Sequence, residues 1–121
     1  MGLCMYNKKT GKTFDIGYGN FFWLKHKMLE AISKNLANEW KELPLTQTVS
    51  FDFVKQLKKL GLYDLIMHSD CDGKLLRREV KRINKGLSKI DKIDDNYTEL
   101  FLELKGFIKE TVEQGGIIIF C

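Results

Sequence analysis

At 121 residues, with 44% hydrophobic residues and one proline, the chain is sized for a single domain, residues 1–121, and its composition excludes a disordered or low-complexity protein. Its 20 basic residues outnumber its 16 acidic ones for a net charge of +4, an excess too mild to dictate a polyanionic partner. Three cysteines, Cys4, Cys71 and Cys121, and apolar runs far shorter than a bilayer point to a soluble cytoplasmic chain with reduced thiols, without a disulfide framework and without a membrane.

The first elements predicted are two short strands, residues 3–7 and 12–16, joined by a Lys8-Lys9-Thr10-Gly11 turn in which Gly11 takes positive φ. Gly17-Tyr18-Gly19-Asn20 then reads as a strand-to-helix corner. Its Gly-x-Gly lacks the third glycine and the Lys-Ser/Thr pair of a phosphate loop. Asn20 is placed to cap a long helix over residues 21–40, whose stripe of Phe21, Leu24, Met28, Ile32, Leu36 and Trp40 follows helical spacing, with Lys25, Lys27, Lys34 and Glu39 on other faces. Phe22 and Trp23 fall partly off that stripe. They read either as aromatics buried under the hairpin or as an exposed patch for a partner. His26, beside the stripe, is expected to be partly exposed rather than a ligand.

Residues 43–50, with Pro44 and three threonines, are expected to form a connecting loop and the most mobile region. Ser50 can cap the next helix, with Asp52 favouring its dipole and Phe53, Val54, Leu57 and Leu60 as its apolar stripe, until Gly61 ends or bends it. Leu76, Val80, Ile83, Leu87 and Ile90 mark a second amphipathic helix over 76–90. Its other face is basic, with Arg77, Arg78, Lys81, Arg82, Lys85 and Lys89, and Lys92 follows just beyond. After a polar link at 91–95, Asn96 and Glu99 look like a capping box. It opens a helix through Gln114 that turns Tyr97, Leu100, Phe101, Leu104, Ile108 and Val112 to the core. Gly115 and Gly116 stop it. The apolar, β-branched residues 117–120 read as a strand pairing with the N-terminal hairpin, which ties the two ends of the chain together. The fold class that follows is α+β: four main helices with a small antiparallel sheet built from the N-terminal hairpin and the C-terminal strand.

One stretch carries chemistry. With His68 as position one of twelve, Asp70 falls at three, Asp72 at five, Gly73 at six, Leu75 at eight and Glu79 at twelve. Alternate residues of such a loop aim oxygens inward, the sixth must turn with positive φ, and a carboxylate one turn into the next helix closes the cage. The stretch therefore resembles an EF-hand calcium loop within a single EF-hand-like helix-loop-helix. The resemblance implies a metal set of Asp70, Asp72 and Glu79 through side-chain oxygens and Lys74 through its backbone carbonyl. Leu76 at position nine would act only through a water, and Leu75 would pack under the loop. His68 stands where an EF-hand has Asp. An imidazole nitrogen is a poor ligand for Ca²⁺ and a good one for Zn²⁺, and Lys74, Arg77 and Arg78 add positive charge, so calcium affinity is lowered. The loop either holds one divalent cation, Ca²⁺ first with Mg²⁺ or Zn²⁺ as alternatives, or keeps its shape without an ion. No second such loop exists in the chain, so its brace must come from the terminal sheet or from a second copy in a homodimer.

The same letters are similar to the first motif of the DHH phosphoesterases, where a strand end presents His and Asp to two metals. That resemblance implies a small metal-dependent hydrolase using His68, Asp70 and Asp72. It lacks the later Asp-His-His motif, and it requires a strand at 62–67 where the calcium loop requires a helix. A zinc site from His68, Cys4, Cys71 and Cys121 has no Cys-x-x-Cys pair behind it, and no Ser-His or Cys-His arrangement suits a nucleophile. The Tyr-Gly-x-Phe-like start of the first helix, the His-Ser-Asp-Cys-Asp-Gly run and the Phe-Cys end resemble a group of small uncharacterised bacterial and phage proteins. This likeness implies a prokaryotic or viral source and makes His68 a feature of the loop, with no activity attached.

The leading expectation is a non-enzymatic binding protein, in a bacterial or phage setting of inhibitor type, that presents Phe22, Trp23, Arg77, Arg78 and Lys81 to a protein partner. The hydrolase is the alternative from another class. A nucleic-acid module through the basic 77–92 helix ranks lower, because no aromatic residue is interleaved there to stack on bases.

Overall fold

The computed structural model describes residues 2–68 and 73–120. Its elements run β1 (Gly2–Asn7), β2 (Thr13–Gly17), α1 (Tyr18–Glu30), α2 (Lys34–Thr46), α3 (Phe51–Leu60), α4 (Tyr63–Ile66), β3 (Lys74–Leu75), α5 (Arg77–Ser88), α6 (Thr98–Glu113) and β4 (Ile118–Phe120), with a 3-10 turn at Asp95–Tyr97. The class is α+β. The sheet is antiparallel with strand order β2-β1-β4-β3, so the C-terminal strand sits inside it between β1 and β3.

The hairpin turn lies where expected, with Gly11 at φ 77°. Met5, Phe14, Ile16, Ile118 and Phe120 bury one face of the sheet, and they join Phe21, Leu24, Phe53, Leu57, Ile83, Phe101, Leu104 and Ile108 from the helices in one apolar cluster. Alternation in β2, exposed and buried in turn, is the period-two signature of a sheet with one face in the core.

The single helix expected over 21–40 is two helices. α1 begins at Tyr18 with Gly17 in extended conformation before it, so Asn20 lies inside the first turn and is not the cap. The chain breaks at 31–33, where Ser33 is extended at φ −160°, and α2 folds back along α1. The cause is long-range. A continuous helix would place Trp40 roughly 27 Å from Phe22, at 1.5 Å per residue. Instead their rings stack with centroids 5.2 Å apart, and Trp40 Nε1 donates to the Phe22 carbonyl at 3.0 Å. Lys25, expected outside, is buried with its ammonium 4.1 Å from the Phe21 ring centroid, its stem lying along apolar surface. His26 is 6% exposed rather than partly exposed.

α2 also runs through Pro44 to Thr46, so the expected loop contracts to residues 47–50. Proline removes one hydrogen bond, to the Trp40 carbonyl, which a helix near its end tolerates. Ser50 caps α3 as expected, its Oγ accepting from Phe53 N at 3.1 Å, and Gly61 ends that helix at φ 80°. Asn96 does not cap α6: it lies in the 3-10 turn, which Asp94 caps by taking the Asn96 N–H at 2.9 Å, and α6 starts after Tyr97 without a side-chain cap. Leu76, predicted on the buried face of α5, precedes that helix and is 37% exposed. Among the described residues, no helix is long and apolar enough to cross a membrane.

Candidate functional site

The site is assembled by four elements. α4 leads into it, β3 and α5 follow it, and β4 lies alongside. Residues 62–67 contain the turn of helix α4, the conformation the calcium-loop register needs, whereas the phosphoesterase resemblance needs an extended segment there. Gly73 has φ 98°, as position six requires, in a region L side chains avoid.

The brace is the C-terminal strand. Lys74 and Leu75, positions seven and eight, pair with Ile119 and Ile118, and Phe120 N donates to the Gly73 carbonyl at 3.0 Å. A lone loop thus finds inside its own chain the short strand pairing that two loops ordinarily give each other. Leu75 is wholly buried.

His68 occupies position one with its ring stacked on Phe120, centroids 3.9 Å apart at 17°. Its Nε2 lies 3.4 Å from the Lys74 carbonyl oxygen. A protonated Nε2 donates weakly to that carbonyl. An unprotonated one turns two lone pairs, one nitrogen and one oxygen, toward the same space.

Glu79, at position twelve, is half-buried in the first turn of α5, and its Oε1 accepts the Leu76 N–H at 2.9 Å. This is half of a capping box, supplied by the third helical residue because Leu76 has no side-chain acceptor of its own. Glu79 also meets Asp64 of α4, a residue outside the twelve. Burial pushes the Asp64 carboxyl above its ordinary value, Arg82 pulls it back, and the Glu79 carboxylate beside it adds to the rise. Arg82 Nη2 holds Asp64 Oδ2 at 3.2 Å. An acid–acid–base chain therefore links the helices on the two sides of the loop.

Of the sequence-derived metal set, the structure brings His68 and the Lys74 carbonyl together and places Glu79 at the loop's exit. Asp70 and Asp72 lie outside the described residues, as do Cys71 and Cys121 of the zinc alternative. Cys4 is half-buried on β1. Among the described residues, no three His, Cys, Asp or Glu side chains converge at metal-binding distance.

The partner-facing set divides between two helices. Trp23 is 39% exposed and meets the Phe22 ring edge-on at 5.4 Å. What covers Phe22 is Trp40 of α2, an element the single-helix reading could not supply. Arg77, Arg78 and Lys81 are exposed on α5, and Arg77 shares a surface cavity of about 370 Å³ with Lys8 and Lys9 of the hairpin turn. No hydrogen bond, ion pair or ring contact joins the aromatic pair to the basic trio among the described residues.

Phe120, Asp64 and Arg82 were missed as site residues. The His-to-Phe stack and the Asp64 link are non-local, and a spacing rule confined to twelve residues does not reach them. No family model, curated protein or solved structure matches the chain.

Proposed function

We propose that the chain is a non-enzymatic binding module whose loop at 68–79 holds a divalent cation and shapes the surface offered to a protein partner. The observation that carries the reading is the pairing of β3 with β4. It ties Lys74 and Leu75 to the C-terminal strand next to Gly73 at φ 98°, between α4 and α5, which supports a cation loop braced without a second loop or a second copy. His68, Asp70, Asp72, Glu79 and the Lys74 carbonyl are the donors of this proposal. Ca²⁺ is the ion of the register, Mg²⁺ its smaller alternative, and Zn²⁺ the ion an imidazole donor favours.

A bound cation neutralises the loop's carboxylates and draws Glu79 toward it, which sets the start of α5 and hence the exposed Arg77, Arg78 and Lys81. These residues, with Phe22 and Trp23, make up the proposed partner surface. Arginine and tryptophan suit it, since both give much contact energy per residue at interfaces. The setting proposed is cytoplasmic, where cysteines are kept reduced.

Calorimetric titration of the wild type and of Asp72→Ala with Ca²⁺, Mg²⁺ and Zn²⁺ tests the reading. Saturable heat at one ion per chain, lost in Asp72→Ala, is the expected result. Absence of heat with all three ions leaves the loop held by its own hydrogen bonds and removes the cation from the proposal.

A further inference from the structure

The C-terminal end of α3 and the middle of α5 meet at a notch made of glycine. A Cβ on Gly61 would lie 2.7 Å from the Arg82 carbonyl oxygen, and one on Gly86 would lie 2.6 Å from the Leu60 carbonyl oxygen. Only glycine lets two backbones approach so closely. The approach brings the cations of both helices to one place. Lys58, Lys59, Arg82, Lys85 and Lys89 line a cleft of about 180 Å³, which adjoins a larger hollow beside Tyr63 and Asp64.

Asp64 answers Arg82 alone. Among the described residues, no carboxylate lies within ion-pair distance of Lys58, Lys59, Lys85 or Lys89. Lys58 instead sits 5.0 Å from the Tyr63 ring centroid. The fold therefore holds several like charges together with little internal compensation, an arrangement that repels itself until an anion enters.

We infer that this cleft is a docking site for the phosphate backbone of a nucleic-acid duplex, read without regard to sequence. The ligand is extended, because Arg82 and Lys85 on α5 and Lys89 just past its end follow one another at i, i+3 and i+7. They span about 10 Å, the rise of three nucleotides on one strand at roughly 3.4 Å each. The ligand is a phosphate polymer rather than an acidic protein, because a protein interface needs a buried apolar centre, and the cleft's one apolar side chain is Leu60. The ligand is a duplex backbone rather than a single strand, because the α5 face carries no aromatic platform on which bases could stack. Contacts of this kind position a duplex without reading it.

The test is fluorescence anisotropy of a labelled 20-base-pair duplex of arbitrary sequence, titrated with the full chain at salt concentrations from 50 to 200 mM. Neutralising four to five phosphates gives a log K against log salt slope of about −4. The Lys59→Gln, Lys85→Gln, Lys89→Gln triple variant changes only exposed side chains, and its fold is checked by circular dichroism. It is expected to flatten the slope by about 2 to 3 and to weaken binding at least 10-fold. Three results overturn the inference: no binding at 50 mM salt, a triple variant that binds like the wild type, or equal binding of polyglutamate at matched charge. None of these depends on the cation loop, so the two readings fail separately.

Discussion

Replacing Gly73 with alanine strikes the loop at its turn. At φ 98° an L side chain is strained wherever it points, and the added Cβ would lie 3.1 Å from His68 Cε1 and 3.3 Å from Nε2. The ring cannot yield freely, because it is stacked on Phe120, whose own N–H is tied to the Gly73 carbonyl. Left-handed backbone costs an L residue about 1 to 2 kcal/mol, and giving up the ring stack costs about 0.5 to 1.5 kcal/mol more. Against this, alanine narrows the unfolded ensemble, which returns about 0.4 to 1 kcal/mol. The net loss is about 1.5 kcal/mol, or roughly 5 °C in Tm for a domain of this size. Gly11→Ala is the control, since Gly11 has φ 77° and nothing within 4 Å of the added Cβ. It bears the backbone strain without the ring contact. Thermal unfolding followed by circular dichroism should place Gly73→Ala below Gly11→Ala, and both below the wild type. A Gly73→Ala protein that melts at or above the Gly11→Ala temperature would show that the His68 ring is not held against the turn.

Two glycines on helices should respond in opposite directions. Gly86→Ala meets the Leu60 carbonyl and the Leu62 side chain, so it should destabilise by about 1 to 3 kcal/mol through overpacking despite alanine's better helix propensity. Gly106→Ala, at an exposed position of α6 with nothing within 4 Å, should stabilise by about 0.5 to 1 kcal/mol. Urea midpoints of the two variants read the contrast, and a stabilised Gly86→Ala would refute the close approach of α3 and α5. Burial pushes the His26 imidazole below its ordinary value of 6.5, and its Nδ1 has no hydrogen-bond partner among the described residues. The unfolded chain therefore binds the proton more readily than the folded one. The stability this contributes is present above pH 6.5 and is lost as pH falls through the lower folded value. Unfolding by urea at pH 7.5, 6.5 and 5.5 should show the wild type weakening more steeply on acidification than His26→Leu; parallel curves would contradict the burial.

Most of the fold was legible because most of its signals are local. The hairpin announces itself by Gly11, the amphipathic helix by Val80, Ile83, Leu87 and Ile90, and the last strand by its β-branched run after Gly115 and Gly116. The break between α1 and α2 was not legible, because the apolar stripe from Phe21 to Trp40 keeps helical spacing straight across it. Fold-back is decided by Trp40 finding Phe22, and periodicity carries no information about that meeting. Pro44 misled in the other direction, since a proline suggests a loop but a helix near its end absorbs one missing hydrogen bond. Within the site, the roles of Gly73 and Leu75 follow from register alone, being consequences of a short loop's geometry. The stack on Phe120, the meeting of Glu79 with Asp64 and the glycine notch belong to residues far apart in sequence. Gly86 in the middle of an otherwise regular helix was the one visible hint of the notch.

The proposal that a cation loop is braced by the C-terminal strand is tested most directly by amide chemical shifts recorded while Ca²⁺ or Zn²⁺ is added to the ¹⁵N-labelled chain. If the strand and the loop act as one unit around an ion, the amides of Gly73, Lys74, Leu75, Ile119 and Phe120 move together and saturate at one equivalent. Shifts that leave Ile119 and Phe120 unchanged, or that never saturate, would contradict it.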